Sequence, residues 1–447
     1  MPFVPMTNAN REEMLKSIGV SDFEQLLEAI PDELRFKGEL DLPEPLSEFE
    51  VTKLLKELAN RNESLGTHTC FLGGGAYDHF VPAAVDHIIS RPEFYTAYTP
   101  YQPEVSQGNL QSIYEYQTMI VNLTKMDVAN ASMYDGASAL AEAALLSQAH
   151  TRRSKVLVSK AVHPHYRKVI ATYCQRSGLC LDEVNIEGGV TDLAHLKEKM
   201  GDDTAGVLVQ HPNFFGNLED VETIGQIAHE VGGLFVVSVD PISLGILKPP
   251  GEYGADVATG EGQPMGNALS YGGPYVGLFA VKQPLIRRIP GRLVGVTVDT
   301  KGRRGFVLTL QTREQHIRRE KATSSICTNE QLCALASTVY LALMGKQGIP
   351  TAANLSLQKA HYLAKKLESL SGVEMMFSQP FFKEFAISLP VPSKKVIDGM
   401  RKEKIFAGID LGRFDYGIDN GLLIAVTEKR TKDELDRYVD VLGKVLA

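Results

Sequence analysis

Residues 204–240 read TAGVLVQHPNFFGNLEDVETIGQIAHEVGGLFVVSVD. TAGVLVQ is a short β-rich run, DVETIGQIAHEVG carries apolar residues at helical spacing, and GLFVVSV is a second β-rich run. Strand, helix and strand in so short a span make a βαβ unit, whose two strands run parallel. The unbroken apolar character of LFVVSV fits a strand covered on both faces. Outward from this unit the pattern repeats. Upstream stand the Ala-rich helix GASALAEAALLSQAHT (136–151), the strand KVLVS (155–159) and the helix HPHYRKVIATYCQRSG (163–178). The strand CLDEVNI (180–186) and the helix TDLAHLKEKM (191–200) complete that side, and DVATG (256–260) is the next strand downstream. From Gly66 to about Gly291 the chain therefore predicts an α/β layer with a mainly parallel sheet.

The two ends follow different rules. Beyond about residue 325 come two long helices, NEQLCALASTVYLALMG (329–345) and AANLSLQKAHYLAKKLESLSG (352–372). FKEFAISL (382–389) and LLIAVTE (422–428) read as strands, and SKKVIDGMRKEKI and TKDELDRYVDVLGKVL as helices. At the amino end, two capping boxes mark helix starts: Ser21 with Glu24, and Ser47 with Glu50. The expected organisation is a helical N-terminal arm (1–62), an α/β large domain (63–325) and a smaller α+β domain (326–447). The Pro-punctuated arm suits wrapping around another element or subunit, or packing on its own domain.

Composition sets outer limits. The chain has 447 residues, 44% of them hydrophobic and 22% charged, with 39 Gly and 22 Pro, which excludes collagen-like and largely disordered classes. A net charge of −8 argues against nucleic acid as a partner. No unbroken apolar run approaches about 18 residues, and MPFVPMTNANREEMLK lacks a basic segment followed by an apolar one, so no membrane span or secretory signal is expected. Five cysteines (Cys70, Cys174, Cys180, Cys327 and Cys333) include no CxxC. They predict a reducing, cytoplasmic setting without a disulfide framework, and a role as small buried hydrophobes. His68, His79 and His87 are too loosely spaced for a metal site, and none is expected.

Four features of the α/β layer bear on chemistry. Asp135, Gly136 and Ser138 stand at the head of the Ala-rich helix, where free N–H groups and the helix dipole suit a phosphate; a plain N-cap at Asp135 is the alternative. His163 follows the strand KVLVS, where an imidazole can stack on a flat ring or simply hold the turn. Asp240 ends the most buried strand, and a carboxylate there suits a protonated pyridine nitrogen. Phosphate cradle, stacking residue and acid, in that order, suggest a pyridoxal-phosphate scaffold of the aminotransferase type. The fourth feature is an absence. Between His211 and Ala280 the one lysine is Lys248, eight residues past Asp240 in a Pro-rich turn, and Lys282 lies at the far end of a later strand. The glycine-rich GGGAYDHF (73–80) matches no nucleotide-binding motif and reads as a turn that approaches the site with bare backbone.

Long stretches then resemble a known family. AYTPYQPEVSQG (97–108), YEYQTMIVNLTKMDVANASMYDGASALAEA (114–143), LKPPGEYGADVATGEGQ (247–263), YGGPYVGLFA (271–280), PGRLVG (290–295) and QTREQHIRREKATSSICTN (311–329) are similar, in colinear order, to the P-protein of the glycine cleavage system. In particular they resemble subunit 1 of its two-subunit form, glycine dehydrogenase (decarboxylating). The resemblance implies a fold type I pyridoxal-phosphate architecture and a partner, subunit 2, that carries the cofactor-binding lysine. Aligned by ADV and GGP, Gln263-Pro264 stands where that partner has a His-Lys pair. By that implication this chain holds no cofactor covalently, and Asp135, Gly136, Ser138, His163 and Asp240 line a vestigial pocket. With subunit 2, in an α2β2 heterotetramer, it would decarboxylate glycine and pass the aminomethyl group to the lipoyl arm of H-protein.

Residues that reach the partner's site are sought in two places. The first is the Pro-bounded loop with Tyr95, Tyr98, Thr99, Tyr101, Gln102 and Glu104, too polar for a core strand. The second is the segment Arg287–Lys321, with a net charge of +7 in a chain whose remainder carries −15. It suits an anion or an acidic carrier protein, and within it Arg313 and Arg318 stand out because they belong to the family-like run. Two other readings remain open: a non-catalytic stabilising or regulatory partner, and an autonomous pyridoxal-phosphate enzyme using Lys248 or Lys282.

Overall fold

The computed structural model describes residues 6–175, 177–326 and 328–447. Contacts divide the chain into Met1–Glu63 and Ser64–Ala447. The first unit holds helices α1 (Asn8–Ile18) and α2 (Glu48–Ala59). Ser47 and Glu50 make the capping box that the sequence predicts for α2. The box predicted at Ser21 does not form. Asp22, one residue on, accepts from Gln25 N at 3.1 Å and caps a single turn, Phe23–Leu26, in its place.

In the second unit, seven strands form one sheet: β1 (Val128–Ala129), β2 (Lys155–Ser159), β3 (Cys180–Val184), β4 (Thr204–His211), β5 (Leu234–Val239), β6 (Val257–Glu261) and β7 (Gly277–Val281). Their order is β1–β7–β6–β5–β4–β2–β3. The run from β3 to β6 is parallel, and β7 is antiparallel to both its neighbours. Helices α3 (Gln107–Thr124), α4 (Gly136–Thr151), α5 (Pro164–Cys174) and α6 (Val221–Glu230) pack around it. α4 carries alanine on nearly every side because it is enclosed: Ala139, Leu140, Ala143 and Ala144 pack with Val156, Val158, Leu208 and Val236 of the sheet. Leu157, Val207, Val209, Phe235 and Val237 face the other way, onto Ile224 and Ile227 of α6. That two-sided burial is what the apolar run LFVVSV signals. A hairpin, β8 (Leu293–Val298) and β9 (Arg304–Thr309), projects beyond.

The helix α7 (Gln331–Leu367) connects this layer to the C-terminal one. It contains the two helices read from the sequence, broken at Gly345, whose φ of 57° and ψ of −162° suit glycine alone. Among the described residues it is also the one helix long and apolar enough to cross a membrane. Its apolar residues are accounted for by packing. Ala334, Ala336, Tyr340 and Ile349 join Met265 and Leu278, while Ala360, Leu363 and Leu367 enter the C-terminal core. There the sheet β10 (Glu374–Met375), β11 (Glu384–Ser388), β12 (Ile409–Asp410) and β13 (Gly421–Ala425) has the antiparallel order β10–β11–β13–β12. Helices α8 (Ser393–Lys402) and α9 (Lys432–Leu446) cover it. The segment Thr69–Cys70 pairs in parallel with Ile405–Phe406, so the glycine-rich turn that follows is delivered between the two layers.

Candidate functional site

The carboxyl ends of β2, β4, β5 and β6 converge, as they must in an open parallel sheet, and the C-terminal layer closes over them. Asp240 follows β5, Gln210 lies near the end of β4, and Glu261 ends β6; all three line one cavity with Tyr77, Tyr166, Pro264, Lys383 and Glu384. Lys383 decides its character. Its ammonium lies 2.7 Å from Asp240 Oδ2, and its side chain is 1% exposed. It also donates to His79 Nε2 at 2.8 Å and sits 3.7 Å from the centre of the Tyr77 ring. His79 in turn faces Glu428 through Nδ1 at 2.6 Å. Because an ammonium can only donate, Nε2 accepts from Lys383 and Nδ1–H donates to Glu428; burial and the Lys383 charge both lower the His79 pKa. Burial opposes the Glu428 charge, yet bonds from His79 and Phe80 N hold its pKa below the usual range. Asp240 completes its own environment by accepting from Ile242 N at 3.0 Å.

At the other end of the cavity, Glu261 occupies the head of α4. It accepts from Gly136 N at 2.9 Å, Gln263 N at 2.9 Å and Val276 N at 3.3 Å. Burial raises its pKa to about 8 against those three donors. Asp135 is the N-cap of α4, accepting from Ser138 N at 2.7 Å, and Ser138 completes the capping box. His163 caps α5, its Nδ1 accepting from His165 N at 3.0 Å, and burial lowers its pKa to about 4. Its ring stacks on Tyr166 at 5.0 Å. The glycine turn passes beside it: a Cβ on Gly75 would lie 3.8 Å from His163 Cδ2. Gly74 N and the Tyr77 hydroxyl both donate to Glu384, at 2.7 and 2.8 Å, and burial lifts that acid to about 7.

A family model described as the glycine cleavage system P-protein matches residues 1–442. The chain belongs to this family. It is 57% identical over 445 residues to a probable glycine dehydrogenase (decarboxylating) subunit 1 of Chloroherpeton thalassium, covering 100% of both. A solved structure of glycine decarboxylase (P-protein) in inhibitor-bound form is 46% identical, with a TM-score of 0.93 and 100% of each chain covered. Sphingosine-1-phosphate lyase from Burkholderia pseudomallei shares the fold alone, at 15% identity and a TM-score of 0.67 over 93% of this chain and 94% of that one. The architecture is that of fold type I pyridoxal-phosphate enzymes, as the sequence implies.

For this member of the P-protein family, the residues present do not fit that cofactor. The cavity left between them is about 30 Å³, room for one or two water molecules, where a small-molecule site needs several hundred. Pro264, at the position the resemblance gives to the anchoring lysine, lines that cavity and has no amine to offer. The two alternative lysines lie elsewhere. Lys248 pairs with Glu222 at 2.7 Å on the surface, and Lys282 binds Gly254 O at 2.9 Å and Asp256 at 3.1 Å.

The outward-facing candidates form a separate group. Tyr95, Tyr98, Tyr101, Gln102 and Glu104 are exposed and Thr99 is half-buried; none lines the cavity. Tyr101 stands 5.5 Å from the Arg292 guanidinium and 6.0 Å from the His316 ring, which ties the loop to the basic segment. Arg313 is held inward, donating to the carbonyls of Leu310, Ile289 and Gly291, while exposed Arg318 bonds Thr312 O at 3.1 Å. Among the described residues no group of three His, Cys, Asp or Glu is placed to hold a metal ion. Cys70, Cys174 and Cys333 are buried as expected, Cys180 is exposed at the start of β3, and Cys327 lies outside the described residues. The sequence reading missed Lys383, Glu384, Glu261, Tyr166 and the Tyr77–His79 pair. One signal was present: Lys383-Glu384 interrupts FFKEFAISL, placing two adjacent charges among phenylalanines where a core strand has none.

Proposed function

We propose that this chain is subunit 1 of glycine decarboxylase, the P-protein of the glycine cleavage system, and that it works only with a lysine-bearing subunit 2. The observation that carries this reading is Pro264 facing a cavity already closed by Lys383 and Glu261. A chain whose own pocket is filled has to contribute to chemistry elsewhere, and its exposed aromatic loop and basic segment are what it has to offer. Pyridoxal phosphate then belongs to the partner, where it supplies the electron sink that decarboxylation requires. With that partner the chain would decarboxylate glycine and transfer the aminomethyl group to the lipoyl arm of H-protein. An α2β2 assembly in the cytoplasm is the arrangement we infer. Within it Tyr95, Tyr98, Tyr101 and Glu104 are the side chains placed to orient groups across the interface, and Arg318 to meet an anion.

The test is reconstitution. Each subunit alone should release no carbon dioxide from glycine, and the mixture should do so in the presence of pyridoxal phosphate and lipoylated H-protein. Borohydride treatment of this chain with pyridoxal phosphate should trap no adduct within the cavity. An adduct on Lys383, Lys248 or Lys282 with turnover by the chain alone would replace this reading with an autonomous enzyme.

A further inference from the structure

The way the pocket is filled carries information beyond the fact that it is filled. A pocket that has lost its ligand is most cheaply closed by apolar side chains, because replacing a buried ion pair with hydrophobic groups is commonly neutral or stabilising. This one is closed with polar groups, an ammonium and a carboxyl group, and they meet the ligand's two recognition points in place. Asp240, the group suited to a pyridinium, is met by an ammonium at 2.7 Å that also lies 3.7 Å from the Tyr77 ring centre. The Gly136 N–H at the head of α4, where a phosphate would be suited, is met by the Glu261 carboxyl group, which also accepts from the backbone of Gln263 and Val276. Between the two ends, the backbone of Gly75 lies beside the His163 ring, where a flat ligand ring would stack.

We propose that this chain carries an internal mimic of the cofactor its fold accommodates: Lys383 stands in for the protonated pyridine nitrogen and Glu261 for the phosphate, over a cryptic site for a phosphorylated pyridine. The mimic arrives from two directions. Glu261 ends β6 of the large sheet, while Lys383 immediately precedes β11 and comes down with the C-terminal layer. The Asp240–Lys383–His79–Glu428 series therefore ties strand β5 to that layer through four side chains. It both excludes free cofactor and fixes the two layers together. The inference concerns this chain by itself and stands whether or not it acts with a second subunit.

Pyridoxamine 5′-phosphate is the appropriate probe, because it is fluorescent and has no aldehyde to react with surface lysines. The full-length wild-type chain should show no saturable change in its fluorescence, and Glu261→Ala/Lys383→Ala should bind it at least about tenfold more tightly than wild type. Inorganic phosphate should raise the Tm of Glu261→Ala and leave that of wild type unchanged, since only the variant exposes the helix head. Binding to wild type, or a folded double variant that binds nothing, would overturn the proposal. If loss of Lys383 prevents folding, Asp240→Asn/Lys383→Met decides. The mimic predicts that removing both charges recovers most of the Tm lost in Lys383→Met, and failure to recover would mean that Lys383 does something other than neutralise Asp240. A phosphate response equal in wild type and Glu261→Ala would likewise exclude Glu261 as its stand-in.

Discussion

Two regions of this chain hold similar chemical groups and treat them in opposite ways. Around the cavity, Tyr77, His79, Asp240, Glu261, Lys383 and Glu384 are buried or nearly so, and every one has a partner inside the chain. In the loop at residues 95–105, Tyr95 is 68% exposed, Tyr98 79% and Val105 78%, with an amide and a carboxylate beside them that bond to nothing described. By composition the cavity resembles an active site, yet it behaves as a fastener. The loop resembles ordinary protein surface but leaves its functional groups uncommitted. Satisfied groups hold a structure together, whereas chemistry and binding need groups still free to engage something else. That contrast, more than the missing lysine, is what supports our proposal that this chain contributes at its surface.

The contrast fails if the cavity is dispensable. Lys383→Met leaves the Asp240 carboxylate buried without its counter-charge, which should cost about 3–5 kcal/mol, read from the urea midpoint of the purified chain. A midpoint near that of wild type would mean the network fastens nothing. Next in size is a pH effect. Burial holds Glu261 at about 8, above its usual 4.5, so between those values the folded chain binds a proton that the unfolded chain has released. Stability from this group is therefore complete below about pH 4.5 and is lost as pH rises towards 8. Glu261→Gln lacks that dependence. The stability of wild type relative to the variant should fall across this window by an amount on the order of 2–4 kcal/mol, and parallel curves at pH 5, 6.5 and 8.5 would show that Glu261 is not buried as described.

A smaller effect tests the fit of the closed pocket. A Cβ on Gly136 would lie 2.5 Å from Tyr166 Oη and 3.0 Å from Glu261 N, so Gly136→Ala should cost about 1–3 kcal/mol by thermal unfolding. No cost would mean the head of α4 is looser than these distances say. Gly136 also marks how far the sequence could be read. The α/β layer was legible because its central strands are buried on both faces and spell continuous apolar runs, and the scaffold residues sit at predictable boundaries: Asp135 and His163 at helix starts, Asp240 after a strand. The filling of the pocket was not legible. Lys383 precedes β11, 143 residues past Asp240, and no local pattern announces which strand of a second layer will descend on the first. Glu261 is inconspicuous in DVATGEGQ, because a carboxylate near a helix head in space leaves no mark in a sequence where that helix begins 125 residues earlier. The N-cap moved by one residue, and the box was lost, for a simpler reason: Asp22 is as good an acceptor as Ser21 and lies one position closer to the turn that forms.

The smallest expected effect on stability is the most informative for function. Tyr98 is 79% exposed, and among the described residues the aromatic ring it pairs with is Tyr101, at 6.4 Å. Tyr98→Ala should therefore change the stability of the isolated chain by no more than about 0.5 kcal/mol, the range of surface substitutions away from special features. In the reconstituted two-subunit enzyme the same change, made together with Tyr95→Ala, should lower glycine decarboxylation by at least about tenfold, because groups that act across an interface contribute only once that interface exists. Sedimentation of the mixture separates the two ways this can happen. Lost rate with assembly intact places the phenols near the reacting groups, and lost assembly makes the loop a docking element. An unchanged rate in an intact assembly would remove the loop from both roles, and the uncommitted surface would then have to be sought around Arg318 and the basic segment. A loss of stability in the isolated chain would instead erase the distinction on which the comparison rests, since the loop would prove to be a fastener too.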